Sequence, residues 1–130
     1  MSTKYSVNIE KYCERHFIKA FEKKYGRAWD ITIETLIREF QSFEVLTVKT
    51  IAEMIVKDSD IEIYKVEFKI AGTNQSRHGS GNRCIVAMHK DTSIINVLLV
   101  YHKNDLGDGN ETAKWKQMVK ENYNQYCNLF

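Results

Sequence analysis

The stretch Ile61-Glu-Ile-Tyr-Lys-Val-Glu-Phe-Lys-Ile70 decides the reading of this chain, because Tyr64, Val66, Phe68 and Ile70 alternate with Lys65, Glu67 and Lys69. A period of two sends successive side chains to opposite faces, so the segment reads as a strand with one apolar and one polar face. A glycine-containing loop follows, Gly72-Thr-Asn-Gln-Ser-Arg-His-Gly-Ser-Gly-Asn82. Next come the run Arg83-Cys-Ile-Val-Ala-Met-His89, a turn at Lys90-Asp-Thr-Ser93, and another run from Ile94 to Tyr101. Three hairpin-connected strands in an antiparallel meander are expected.

Upstream the period is that of a helix. Tyr12, Cys13, Phe17, Ala20, Phe21 and Tyr25 recur on one side, with Lys11, Arg15, Lys19, Glu22 and Lys23 on the other, up to a stop at Gly26. Tyr5, Val7 and Ile9 alternate with polar residues, which fits a short leading strand as well as the start of this helix. Asp30 or Thr32 can cap a second helix carrying Ile33, Leu36, Ile37, Phe40 and Phe43, giving a helical hairpin. Thr50-Ile-Ala-Glu53 reads as a capping box for further turns that bury Ile51, Met54 and Ile55. After the polar turn from Asn104 to Asn110, a closing helix places Trp115, Met118, Val119, Asn122, Tyr123 and Tyr126 on one stripe, opposite Lys114, Lys116 and Lys120. The expectation is one α+β domain over residues 1–130, with helices from about 9 to 57, a sheet from about 61 to 103 and a closing helix from about 110 to 126. The helices are expected on one face of the sheet.

Composition agrees with a single folded domain. The 130 residues are 43% hydrophobic and 28% charged, with no Pro and 6 Gly, which excludes low-complexity and collagen-like classes. No apolar run approaches the roughly 20 residues of a membrane span, and no signal-peptide apolar region opens the chain, so a cytoplasmic protein is expected. Lys and Arg number 19 against 17 Asp and Glu, yet the surplus is uneven. Between Ile61 and Lys103 six basic residues face three acidic ones, and His78, His89 and His102 fall there too.

Several chemistries are set aside on spacing. The loop has no G-x-x-x-x-G-K-[ST], and Gly79-Ser-Gly81 leads into a strand where a dinucleotide fingerprint would open a helix. Cys13, Cys84 and Cys127 form no C-x-x-C pair, and Cys84 sits in an apolar run unsuited to a thiolate. His89 and His102 lack the companions of a hydrolytic metal site, and Ser80 beside His78 does not make a triad. No cofactor and no metal are expected.

A basic and protonatable set remains: Lys65 on the first strand, Arg83 at the start of the second, and Tyr101, His102 and Lys103 at the end of the third. In a meander these five positions can converge at one edge. Arg, Lys, His and Tyr together suit a phosphodiester, whose charge rises in the transition state, or they are ordinary polar strand ends. Lys69, Arg77, His78 and Lys90 belong to the same basic segment and are the expected contacts if the partner is RNA. Tyr64 and Phe68 fit a sheet core or, in a plain nucleic-acid-binding module, stacking platforms.

Ile63-Tyr-Lys-Val-Glu-Phe68, Gly79-Ser-Gly-Asn-Arg-Cys-Ile-Val86 and Val97-Leu-Leu-Val-Tyr-His-Lys-Asn-Asp105 together resemble the RelE/ParE superfamily of bacterial toxins, and most of all its RelE and HigB-like branch. The resemblance extends by pattern to His16-Phe17 and Phe21-Glu-Lys-Lys-Tyr25, about three quarters of the chain. It implies a RelE-like fold and the toxin of a type II toxin–antitoxin system. It also implies an mRNA endonuclease acting without metal in the ribosomal A site, with a cognate antitoxin as partner. By the same resemblance Lys65 is a catalytic lysine, Arg83 the arginine that follows the glycine, and Lys103 the basic residue closing the last strand. Tyr101 and His102 stand near a His and Tyr pair of other branches. Where RelE has a second lysine this chain has Glu67, which either serves as general base, as a glutamate does in a related branch, or marks lost activity. The alternative within the superfamily is a ParE-like inhibitor of DNA gyrase without nuclease chemistry.

Overall fold

The computed structural model describes residues 4–130. The first strand, β1 (Ser6–Ile9), runs parallel to a later strand, with Ser6 opposite Ile94 and Ile9 opposite Val97. The alternation of Tyr5, Val7 and Ile9 is therefore that of a strand. Helical segments follow without a break: α1 (Lys11–Cys13), a π turn (Glu14–Ile18) and α2 (Lys19–Tyr25). Gly26 ends α2 at φ +56°, a conformation costly for a side chain with a Cβ, and its N–H donates to the Glu22 carbonyl at 2.8 Å.

α3 (Arg27–Gln41) begins directly after that glycine, so Trp29 lies inside the helix. The expected start at Asp30 or Thr32 is corrected accordingly. Thr32 instead ties the helix to the sheet: Oγ1 donates to the Ala28 carbonyl at 2.7 Å and accepts from the Ala71 N–H at 2.8 Å. Trp29, Thr32, Leu36 and Phe40 form the buried stripe, and α4 (Phe43–Val48) adds Phe43 and Leu46.

The turns expected after Thr50 are instead a strand, β2 (Ala52–Lys57), antiparallel to β3 (Ile61–Phe68). The spacing of Ile51, Met54 and Ile55 fits a helix, but Ile55-Val56 is β-branched and the free edge of β3 supplies a ladder of backbone partners. Tertiary pairing overrides the local period. The Asp58 N–H donates to the Ile61 carbonyl at 2.8 Å to close the hairpin, and Met54 is 48% exposed rather than buried.

β4 (Asn82–His89) and β5 (Ile94–His102) complete a five-stranded sheet of order β1-β5-β4-β3-β2, in which the expected three-stranded meander gains a strand at each side. α5 (Glu111–Asn122) opens on Asn110, whose side chain accepts from the Ala113 N–H at 3.1 Å. It stops before Tyr123, and the chain goes on in 3-10 turns (Asn124–Leu129), so the expected single helix to about residue 126 is shorter. Tyr123 leaves helical geometry where its hydroxyl donates to the Leu98 carbonyl at 2.7 Å.

Helices cover both faces of the sheet, not one as expected. Tyr64, Val66, Phe68, Cys84 and Val86 pack with Phe21, Trp29, Leu36, Phe40 and Phe43 on one face. Ile63, Ile85, Ala87 and Leu99 pack with Trp115, Val119, Tyr123 and Tyr126 on the other. Burial on both sides explains why Cys84 to Met88 of β4 is a continuous apolar run and not an alternating one. Each fully buried Ile, Leu or Phe contributes about 1.5–3 kcal/mol relative to exposure. Among the described residues no helix is long and apolar enough to cross a membrane.

Candidate functional site

At the start of β4 three strands meet in register: Glu67 of β3 stands opposite Arg83, and Arg83 opposite Tyr101 of β5. Lys65 stands opposite Ile85, so by strand alternation Lys65, Glu67, Arg83 and Tyr101 share the face that α5 covers further along. The Arg83 side chain is only 4% exposed. Its Nη2 lies 3.3 Å from Glu67 Oε2 and donates at 3.3 Å to the His78 carbonyl, while Nη1 donates at 3.1 Å to the carbonyl of Asn82. Nε has no partner among the described residues, which leaves one guanidinium donor unsatisfied in a buried position.

Glu67 Oε2 is shared, since it also accepts from His78 Nδ1 at 2.6 Å. His78 reaches it because the loop is folded back over the end of β3 and pinned there. Arg77 donates to the Glu67 carbonyl at 3.0 Å and pairs with Glu39 at 2.5 Å. Ser80 Oγ lies 2.5 Å from the Phe68 carbonyl oxygen and accepts from the Asn82 N–H at 3.0 Å. Gly81 holds φ +78°, and a Cβ on it would fall 2.6 Å from His102 Nε2. The glycine before Asn82-Arg83 therefore has two local causes, the backbone angle and the imidazole against it.

Lys65 pairs with Glu53 at 3.6 Å. Lys65, Glu67, Glu53 and His78, with Thr47 and Thr50, line an open cleft of about 450 Å3 beside the edge strand β2. One cation, Lys65, with the Glu53 and Glu67 carboxylates and the His78 imidazole lines this cleft, a set that can hold a phosphoryl oxygen and move a proton.

The other sequence candidates stand elsewhere. Tyr101 is buried and its hydroxyl donates to Glu111 Oε2 at 2.7 Å; burial, then that carboxylate, pushes the phenol well above its ordinary value. His102 is opposite Asn82, one residue out of phase with Arg83, so it occupies the other face, beside Phe21, Tyr25 and Asp105. Its Nδ1 accepts from the Asn104 N–H at 3.1 Å. Lys103 opens an exposed 3-10 turn, and its N–H donates to the Gly81 carbonyl at 2.8 Å. The expected convergence of the five side chains is thus corrected: register brings Arg83 and Tyr101 together, and alternation turns His102 away. Lys69 is exposed just past β3, Arg77 is engaged by Glu39, and Lys90 pairs with Glu62 at 3.3 Å at the opposite end of the strands.

The sequence reading did not foresee Glu53, Glu39 and Glu111 as partners. Glu53 was hidden by the helical reading of residues 50–55, and the β-branched Ile55-Val56 pair was the signal for a strand. The contact of His78 with Glu67 spans a loop, which no periodicity reports.

No family model matches the chain, and no curated protein matches it in sequence. In three dimensions it is similar to the crystal structure of the archaeal RelE–RelB complex from Pyrococcus horikoshii OT3, with a TM-score of 0.53 and 14% identity over 78% of this chain and 98% of that one. Helices on a five-stranded mixed sheet, ordered and connected as described, give this chain a RelE-like α+β fold.

Proposed function

We propose that the chain is the toxin of a type II toxin–antitoxin pair, an endoribonuclease that cuts mRNA at the ribosome and is restrained by a cognate antitoxin. Fold alone does not specify chemistry, so the reading rests on the site. The observation that carries it is Glu67, whose carboxylate lies 2.6 Å from His78 and 3.3 Å from Arg83 in a cleft that Lys65 also lines. In this reading the ribose 2′-hydroxyl attacks the adjacent phosphorus and the bond to the 5′-oxygen breaks, leaving a cyclic phosphate and a 5′-hydroxyl. Lys65 and Arg83 stabilise the charge that grows on the phosphoryl oxygens. Proton transfer falls to the Glu67–His78 pair. Tyr101 and His102 are left out of the reacting set, one because its hydroxyl is held by Glu111, the other because it faces away. Exposed Lys69 and Lys103 are the RNA contacts of this reading, and such contacts weaken steeply with salt.

The near-complete burial of Arg83 favours a second reading, in which its pair with Glu67 only braces the loop and toxicity comes from binding DNA gyrase. The two separate on incubating the purified chain with programmed ribosomes and mapping mRNA 5′ ends. Cuts within the translated message support the nuclease; intact messages, with DNA damage in cells that express the chain, support the gyrase reading.

A further inference from the structure

His78 lies in the loop between β3 and β4 with its side chain 82% exposed, yet it is held at both ends. Its carbonyl accepts from Arg83 Nη2 at 3.3 Å, and its Nδ1 lies 2.6 Å from Glu67 Oε2. An ionised carboxylate only accepts hydrogen bonds, so Nδ1 carries the hydrogen and Nε2 keeps its lone pair in the neutral ring. Among the described residues Nε2 has no hydrogen-bond partner, and the ring borders the same cleft as Lys65. A carboxylate that fixes the tautomer of an imidazole open to solvent is the arrangement of an oriented base.

We propose that His78 is the proton acceptor of this cleft toward a ribonucleotide phosphodiester, with Glu67 as its positioning residue. The proposal rests on the ribonuclease reading and places the base at His78, where the family resemblance leaves Glu67 either as general base or as a mark of lost activity. Nε2 takes the proton of the ribose 2′-hydroxyl as O2′ bonds to phosphorus. The P–O5′ bond breaks, the leaving oxygen takes a proton from water, and the imidazolium returns its own to solvent. The charged groups around the ring are Glu67 and Lys65 of β3, Glu53 of β2, Arg83 of β4 and Arg77 within the loop.

The test is the cleavage rate of mRNA on programmed ribosomes from about pH 5 to 8, the range in which imidazoles titrate. The purified full chain is compared with His78→Ala, Glu67→Gln and Glu67→Asp, each checked for folding by circular dichroism. The wild-type rate should rise with pH, as a step that needs an unprotonated base requires. His78→Ala should lose about 10²–10⁴-fold and the rising limb, and added imidazole should restore part of the rate. Glu67→Gln should lose about tenfold in kcat with a displaced limb and little change in KM, and Glu67→Asp should recover part of that. A His78→Ala protein of full rate, or a slow one with an unchanged limb and no rescue by imidazole, overturns the role of His78 while leaving the ribonuclease reading in place. No cleavage by the wild-type chain overturns both.

Discussion

Gly81 packs so closely against His102 that a Cβ on it would lie 2.6 Å from the imidazole Nε2, and its φ of +78° is one that side chains rarely adopt. Gly81→Ala should therefore cost about 1–3 kcal/mol, roughly 3–15 °C in Tm. His102→Ala in the same chain should recover part of the loss by removing the clash while the backbone strain remains. Thermal unfolding of the two single variants and the double variant measures this coupling. Strict additivity would contradict the packing.

The covering of both sheet faces sets a second expectation. Trp115 is fully buried against the face of Ile63 and Ile85, so Trp115→Ala should cost about 3–5 kcal/mol. Met54→Ala, on the exposed side of an edge strand, should cost within about 0.5 kcal/mol. Urea unfolding midpoints compare them; equal losses would return residues 50–55 to the buried helix that their spacing suggests.

Alkali should unfold the chain early. Burial pushes the Cys13 thiol up to about 12 from an ordinary value of 9.0, and the Cys84 thiol and the Tyr64, Tyr101 and Tyr123 phenols are also raised, chiefly by burial. The folded chain therefore keeps protons that the unfolded chain releases, so the stability these groups contribute is whole below about pH 9 and falls as pH rises toward 12. Above about pH 9 Cys13 and Cys84 both keep a proton that the unfolded chain releases, each adding a slope of about 1.4 kcal/mol per pH unit. Urea midpoints should hold to about pH 9 and fall above it, and Cys13→Ala should make that decline shallower, with Cys84 left to carry the rest. A flat profile would contradict the burial.

Tyr101 separates a structural from a catalytic role. Tyr101→Phe removes the hydrogen bond to Glu111 and should cost about 1 kcal/mol, with mRNA cleavage within about threefold of wild type. A loss on the order of 10²-fold would put the phenol back among the reacting groups.

The sheet was legible because Tyr64 to Ile70 alternates and β4 is apolar from Cys84 to Met88, and both patterns follow directly from which faces are covered. β2 was not, because an edge strand takes half its definition from its neighbour, and Ile51, Met54 and Ile55 also satisfy a helical period. Lys65, Glu67 and Arg83 could be placed by strand position, since register ties them to one face. His102 was misplaced by proximity in sequence to Tyr101, although the same alternation that defines the strand turns it to the other side. His78 and Glu67 meet only through the fold of an irregular loop, which has no period to read.

The most direct measurement is induction of the wild-type chain in a bacterial host beside Arg83→Ala and Lys65→Ala, with growth followed and mRNA 5′ ends mapped. Lys65 is partly exposed, so its variant tests the chemistry even if loss of the buried Arg83 perturbs folding. Growth arrest with cuts in translated messages, lost in both variants by about 10²-fold or more in cleavage, is expected. Arrest with intact messages, or cleavage that both variants retain in full, would contradict the assignment of this site as a ribonuclease centre.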